Sequence, residues 1–360
     1  MQGRGLRPCI LAHRESEDGP MHRLRYVARR LAMAVLVLVS VSIITFFIAR
    51  VIPSDPAAAW VGPHPTRQQI EQARQHLGLD RPLYEQYLRY MRGLFRGDLG
   101  TSVHSHQPIL SDIRAYLPAT MELVLAAMLM AVVIGVPLGV LSGARRGSWL
   151  DHLTRLFSIA GVSIPTFWLA LLLQLFFFGL LRLLPIGSRV STEVSLYHPV
   201  TTITGFYLID SLVTGNWVAF KDTIVHIMLP AFSLATYDIG LIIRMTRSTM
   251  IEVLSEKYVL TARVSGISER TILFVLALKN AIVPTITVLG LSFVYSLTGA
   301  ILTEVIFSWP GLGKYVTEAV LSLDFPVIVS VTLIVTVFYV FINLFLDLIQ
   351  ATLDPRVTLQ

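Results

Sequence analysis

Apolar residues run along this chain in blocks long enough to cross a membrane, and polar residues are swept into the stretches between them. A span needs roughly 20 mostly apolar residues. Six blocks reach that length, at about residues 31–49, 118–141, 156–181, 226–243, 281–303 and 327–349. The pattern predicts an all-α integral membrane protein with six transmembrane helices. The polar interval 51–117 is too long for a bare connector and predicts a helical insertion between spans one and two. Residues 66–77 read as an amphipathic helix with Thr66 as its N-cap. Residues 82–95 read as a second, with Tyr84, Tyr87, Leu88 and Met91 on its apolar face.

Orientation follows from Lys and Arg in the short loops. Residues 1–30, 142–155, 244–280 and the tail after 349 hold 17 of them, against four in 182–225 and 304–326. The 50–117 interval holds eight, but long loops are poor witnesses. The expected organisation is a cytoplasmic tail (1–30), a first span (31–49) and an extracytoplasmic segment (51–117). A core of spans two to six (118–349) follows, with its cytoplasmic loop at 244–280, and then a cytoplasmic tail (350–360). A signal-peptide core rarely exceeds about 15 residues. The first block is longer than that, so the alanines at 57–59 are read as no more than a weak cleavage site. Met21, followed by His-Arg-Leu-Arg-Tyr, is an alternative start.

Composition agrees. Only 14% of residues are charged and 54% are hydrophobic, with a mean hydropathy of +0.66, where soluble domains carry roughly 25% charge. The net charge of +6 follows the cytoplasmic face rather than an aromatic-interleaved patch, so no nucleic acid is expected. The lone Cys9 excludes an internal disulfide framework. No P-loop, H-E-x-x-H or G-x-S-x-G motif occurs, so ATP hydrolysis and these hydrolytic chemistries are not expected of this chain. His104 and His106 form an H-x-H pair, read as solvated, and no metal site is expected.

Several span residues invite function. Ala131, Gly135, Gly139 and Gly143, four apart in span two, predict close helix packing, with a kink at Pro137. Thr285, Ser292, Ser296, Gly299 and Thr303 fall within about 60° of one another on span five. That stripe is either a wall of the substrate pathway or a tight helix interface. Ionisable groups inside spans are costly and usually functional. Glu122 and Asp347 lie near span ends and suit structural roles. Asp238 lies nearer the middle of span four and either meets a cationic substrate or pairs with Arg244 or another helix. In the cytoplasmic loop, Gly266 suits a left-handed helix stop, which predicts one surface helix over 251–265 with Tyr258, Thr261 and Ala262 on one face. Glu252, Glu256, Lys257 and Arg263 would be solvated there or paired with partner charges.

Ordered motifs then carry a resemblance. They are Pro53-Ser54-Asp55-Pro56, Leu77-Gly78-Leu79-Asp80-Arg81-Pro82-Leu83-Tyr84, Gly97-Asp98-Leu99-Gly100-Thr101-Ser102 and Ser163-Ile164-Pro165-Thr166-Phe167-Trp168-Leu169. Leu184-Pro185-Ile186-Gly187, Phe307-Ser308-Trp309-Pro310-Gly311-Leu312-Gly313 and Leu353-Asp354-Pro355-Arg356 complete the series. Residues 258–266, Y-V-L-T-A-R-V-S-G, resemble the EAA loop of importer-type ATP-binding-cassette permeases. Leu260, Thr261 and Ala262 stand at a degenerate triplet and Gly266 at the glycine. From about 24 to 356 the chain resembles the dipeptide/oligopeptide permease family, first membrane subunit. The resemblance implies a permease subunit of an ATP-driven importer of peptides or related small solutes, working by alternating access. Glutathione or a nickel chelate are alternative cargoes within that class; an ion-coupled secondary transporter or a membrane enzyme lies outside it. Implied partners are a second permease, two cytoplasmic ATPases that hold ATP and magnesium, and an extracytoplasmic solute-binding protein, in a prokaryotic inner membrane. Tyr258, Leu260, Thr261, Ala262, Arg263 and Gly266 would couple to the ATPases. Asp238, Thr285, Ser292, Ser296 and Thr303 would line the pathway, and Trp309, Pro310 and Gly311 would form an outer gate.

Overall fold

The computed structural model describes residues 20–51, 57, 61, 65–76 and 78–353. Cys9, Pro53-Ser54-Asp55-Pro56, Leu77, Asp354-Pro355-Arg356 and the side chains of Met21 and Asp347 lie outside the described residues, as do residues 1–19 and most of the weak cleavage site. The chain is helical, and one isolated antiparallel bridge joins Thr101 to Pro108.

Helix α1 (Pro20–Val51) is followed by two short helices, α2 (Arg67–His76) and α3 (Leu83–Phe95). Thr66 caps α2 reciprocally. Its Oγ1 accepts from the Gln69 N–H at 3.3 Å, and Gln69 Oε1 accepts from the Thr66 N–H at 2.9 Å. Pro82 is the N-cap residue of α3, and its fixed φ leads the chain into the first helical turn. Its packed face differs from the expected one. Tyr84 and Leu88 stay exposed, while Tyr87 and Tyr90 meet Phe46 of α1 with ring centroids at 5.3 and 5.9 Å. Tyr87 also shares a 2.8 Å hydrogen bond with Ser42. The docking surface on α1 thus chose which stripe of α3 is covered. Burial, then the neighbouring Tyr87, pushes the Tyr90 phenol above the usual tyrosine range.

Among the described residues, five helices are long and apolar enough to cross a membrane. They are α1 through Ala28–Ile48, α4 (Ile109–Ala144), α9 (Trp217–Leu254), α11 (Glu269–Ile306, with a π-helical stretch at Ile272–Ala277) and α13 (Phe325–Leu353) through Phe325–Phe345. The third span, expected as one helix over 156–181, is instead two. Helix α5 (Trp149–Ser163) and helix α6 (Thr166–Leu180) meet at 107° and make a sixth crossing if the pair counts as one. Pro165 is the cause. It has no N–H to continue the ladder and drives the preceding residue out of helical geometry, and Ile164 is extended at φ −81°, ψ 124°. By contrast α4 runs unbroken through Pro118 and Pro137, where packing on its neighbours outweighs the lost bonds.

Helix α9 is the axis of the molecule, with α4, α5, α6 and α11 packed around it. The small-residue stripe of α4 lies on it. A Cβ at Gly135, Gly139 or Gly143 would come within 2.8, 2.6 and 2.8 Å of Ile242, Thr246 and Met250. Close approach of this kind replaces the missing hydrophobic drive between helices in lipid. Two glycines repeat the device between α9 and α5, Gly161 facing Thr236 and Gly240 facing Ser158. Helix α1 packs mainly on α13 at the periphery.

On the side expected to be extracytoplasmic, hereafter the outer side, α7 (Thr192–Tyr197), α8 (Tyr207–Val213) and α12 (Leu312–Leu321) complete the order, with α10 (Lys257–Val264) on the opposite side, hereafter the inner side. Ser102 Oγ donates to Asp324 at 2.6 Å, and Ser330 Oγ donates to the Leu99 carbonyl at 3.2 Å, tying the 97–102 motif to the outer start of α13. In α8, burial pushes the Asp210 carboxyl up. The Thr204 hydroxyl and the N–H groups of Thr204, Ile203 and Gly205 outweigh that and hold it below the usual range.

Candidate functional site

At 38 residues α9 is about 57 Å long, well beyond the thickness of a hydrocarbon core of about 30 Å. The inner end carries the loop singled out by sequence. One helix over 251–265 is not what forms. Residues 251–254 are the last turn of α9, the chain turns at Ser255, and Glu256 is extended (ψ 147°) as the N-cap of the separate helix α10. Helix α10 stops at Gly266 in a Schellman turn. The Gly266 N–H donates to Arg263 O at 3.0 Å, and the Ile267 N–H donates to Ala262 O at 3.1 Å. Gly266 itself is left-handed, with φ 78°.

The expected face of α10 is split. Ala262 turns inward with Val259 onto Ile272, Leu254 and Leu276. Thr261 is exposed, and the half-exposed Tyr258 accepts a 2.8 Å hydrogen bond from Asn280 Nδ2. The outermost apolar side chains are Leu260 and Val264, 64% and 82% exposed. Arg263 pairs with Glu269 at 2.8 Å on the surface, a contact of at most about 1 kcal/mol.

Further up α9 from α10, Arg247 makes a bidentate pair with Asp151, Nε to Oδ1 at 2.6 Å and Nη2 to Oδ2 at 2.9 Å. Asp151 also accepts from Ser142 Oγ at 2.6 Å and the Gly147 N–H at 2.9 Å. One buried carboxylate therefore joins the ends of α4, α5 and α9. Asp151→Asn is expected to cost the solubilised protein about 1.5–3 kcal/mol, the usual contribution of a hydrogen bond to a charged group. A thermal shift in detergent measures this, and an unchanged midpoint would count against the clamp.

The polar stripe of span five lies in the seam between α9 and α11. Asp238 is 1% exposed, and its Oδ2 accepts from Ser296 Oγ at 2.7 Å. Thr285 shares a 3.1 Å bond with Thr246. The side-chain hydroxyls of Ser292 and Thr303 are buried with no hydrogen bond of normal geometry among the described residues, as is Asp238 Oδ1. The nearby basic residue in sequence, Arg244, is exposed and pairs with no acid among the described residues. All five expected pathway residues are thus buried inside this chain rather than set along an open wall.

At the outer end, the turn at 307–311 links α11 to α12. Trp309 is fully buried and donates its indole N–H to the Ala119 carbonyl at 2.9 Å. Two motifs far apart in sequence meet here. Gly187 abuts the Phe307 carbonyl so closely that a Cβ has no room, and the Ser188 N–H donates to that same oxygen at 2.9 Å. Beneath the turn lies Glu304, which sequence reasoning passed over. Its Oε1 accepts from Thr120 Oγ1 at 2.6 Å, and its Oε2 accepts from the N–H groups of Gly313 and Lys314 at 2.7 and 3.1 Å. The carboxylate sits at the positive end of α12. Gly311 is required because a Cβ there would overlap the carboxylate. Glu304→Gln must turn an amide N–H toward one of these donors, so a loss of about 1–3 kcal/mol is expected. Thermal unfolding checks this too, with Glu304→Asp as the control that keeps the charge.

Glu122 is more than an interfacial acid. It is buried and paired with Arg189, and its Oε1 accepts from the Leu208 N–H at 2.7 Å. Arg189 also lies 3.6 Å over the Tyr207 ring. A single acid near the end of span two carried no signal for a partner 67 residues away. Among the described residues, no three His, Cys, Asp or Glu side chains gather to hold a metal.

Comparison with known proteins matches residues 135–359 to the family described as "Binding-protein-dependent transport system inner membrane component". Residues 23–124 match "Binding-prot-dependent transport system membrane comp, N-term". The chain is 45% identical to the "Probable D,D-dipeptide transport system permease protein DdpB" of Escherichia coli K12, over 90% of this chain and 94% of that protein. It is 41% identical to the "Dipeptide transport system permease protein DppB" of Alkalihalophilus pseudofirmus, covering 93% and 99%. It is 40% identical to the "Di/tripeptide transport system permease protein DppB" of Pseudomonas aeruginosa, covering 93% and 98%. With several apolar spans around a buried axis and family matches over most of its length, this chain belongs to the binding-protein-dependent transport system inner membrane component family.

Proposed function

We propose that this protein is a transmembrane permease subunit of an ATP-driven importer whose cargo is di- or oligopeptides, and that it performs no chemistry itself. The observation that carries the reading is α10: a short helix with Leu260 and Val264 bare to solvent, set directly on the inner end of the buried axial helix. Solvent-exposed apolar residues on a capped helix suit a partner surface. A push on α10 reaches α9 through one turn and α4 and α5 through the Asp151–Arg247 clamp. The names of the relatives support peptides as cargo.

In this reading both termini are cytoplasmic and the membrane is the prokaryotic inner membrane. The partners are a second permease, two ATPases holding ATP and magnesium, and an extracytoplasmic solute-binding protein. Tyr258, Leu260, Thr261, Arg263 and Gly266 form or shape the ATPase contact, with Ala262 supporting it from beneath. Asp238, Thr285, Ser292, Ser296 and Thr303 hold α9 against α11, and Trp309, Pro310 and Gly311 close the outer end. Transport exchanges two conformations whose balance ligands and ATP shift.

The test is purification of the tagged chain from its native membrane in mild detergent, with mass spectrometry of what accompanies it. Recovery of a second permease and one or two Walker-A ATPases is expected. A folded, monodisperse chain that repeatedly emerges alone would overturn the reading.

A further inference from the structure

Helix α9 is enclosed on three sides and open on the fourth. Ile239, Ile242, Thr246 and Met250 face the core toward α4, and Thr236, Gly240 and Arg247 face α5. Asp238 and Thr249 face α11, through Ser296 and the Ala281 carbonyl. The remaining stripe is Tyr237, Leu241, Arg244 and Ser248, at helical spacing. Tyr237 is 37% exposed, Arg244 and Ser248 are exposed, and Leu241 is half-buried.

Helices α9 and α11 are antiparallel, because Leu234 lies by Gly299, Asp238 by Ser296 and Thr246 by Thr285. Residues advance by about 100° each, so the residue just before each member of a facing antiparallel pair turns to the same side. Those residues are Tyr237 and Tyr295. The Asp238–Ser296 hydrogen bond sets them at one depth, and Tyr295 is 70% exposed. Two tyrosines side by side in mid-span do not suit hydrocarbon, and an arginine and a serine below them continue the polar stripe on the same side toward the 244–280 loop. Polar groups at membrane depth are placed toward water-filled cavities or other protein. Arg244 lies about 10 Å along the axis from Tyr237 and has no ion pair among the described residues.

We propose that this open stripe, Tyr237–Leu241–Arg244–Ser248 with Tyr295, is the wall that this chain presents to the passing solute, and that Arg244 is the counter-charge for a solute carboxylate. The inference rests on the importer reading and deepens it. The tyrosine hydroxyls donate and accept along a peptide's backbone, and the guanidinium takes the carboxylate in a charge-assisted pair. The buried hydroxyl seam beside them holds the wall and does not touch solute.

Two measurements test this on the assembled importer in proteoliposomes, with Cys9→Ser as background. First, Tyr237→Cys, Tyr295→Cys and Leu129→Cys are exposed to a charged, membrane-impermeant maleimide. Leu129, 65% exposed on α4, is the lipid-facing reference. Labelling at 237 and 295, changing between nucleotide-free and ATP-bound states, with none at 129, is expected. Labelling at 237 and 295 as slow as at 129 would overturn the proposal. Second, uptake of a dipeptide with a free carboxylate is compared with its C-terminal amide. Arg244→Gln is expected to raise KM for the free acid by roughly tenfold to a hundredfold, the range for losing a hydrogen bond to a charged group, and to leave the amide unchanged. Equal loss for both would remove Arg244 from solute recognition. If the wild-type complex imports neither form, the peptide reading fails, while the labelling still decides whether the stripe faces water.

Discussion

Gly139→Val is expected to abolish the assembled permease. A Cβ at residue 139 would sit 2.6 Å from the Thr246 Cβ and 3.1 Å from the Ile243 carbonyl, both rigid parts of α9, so no flexible tip can yield. The helices must separate, and separation also strips the contacts made at Gly135 and Gly143. Overpacking a well-packed core costs about 1–3 kcal/mol. Here one added side chain disturbs several turns of the axial interface, so the upper end or beyond is expected. The measurement is yield and monodispersity of the detergent-solubilised chain on size exclusion. Gly139→Ala, with a single added carbon, should show partial loss, and a monodisperse wild-type yield from Gly139→Val would refute the close-packed axis.

The second large effect is expected at the opposite kind of position. Leu260→Asp combined with Val264→Asp should leave the chain folded and transport absent. Both side chains are mostly exposed in this chain, so its own stability has little to lose. If α10 docks on an ATPase, burying a Leu or Val there contributes about 1.5–3 kcal/mol each, and an unpaired charge in that contact costs more. Since about 1.4 kcal/mol is tenfold, ATPase affinity should fall by at least about a hundredfold. Co-purification of the ATPases and solute-stimulated ATP hydrolysis both report it. Retained co-purification with normal uptake would place the ATPase contact elsewhere on the inner surface.

These two positions mark what could be read before the fold was in hand. The small-residue stripe of α4 announced close packing because spacing by four puts residues on one helix face, whatever the neighbour is. Gly266 announced a helix end because a left-handed turn needs a residue without Cβ. Helix extent was less legible, since packing carried α9 past its apolar run to Leu254, and Pro165 cut the third block in two. The hydroxyl stripe of α11 was visible as a stripe, but whether it met solute or α9 depended on how α11 is rotated.

From sequence alone come the class of protein, the approximate spans, the orientation expected from its Arg and Lys, and the helix stop at Gly266. These are local or averaged properties: the length of an apolar run, the charge of a short loop, the backbone freedom of one residue. Only the tertiary structure decided which faces are covered. It placed Glu304 beneath the amides of α12, joined Arg189 to Glu122 and Arg247 to Asp151, turned Ala262 inward and left Tyr237, Arg244 and Tyr295 on the open side. Each of those outcomes depends on the rotation and register of one helix against another, which a side chain's own neighbours in sequence do not determine.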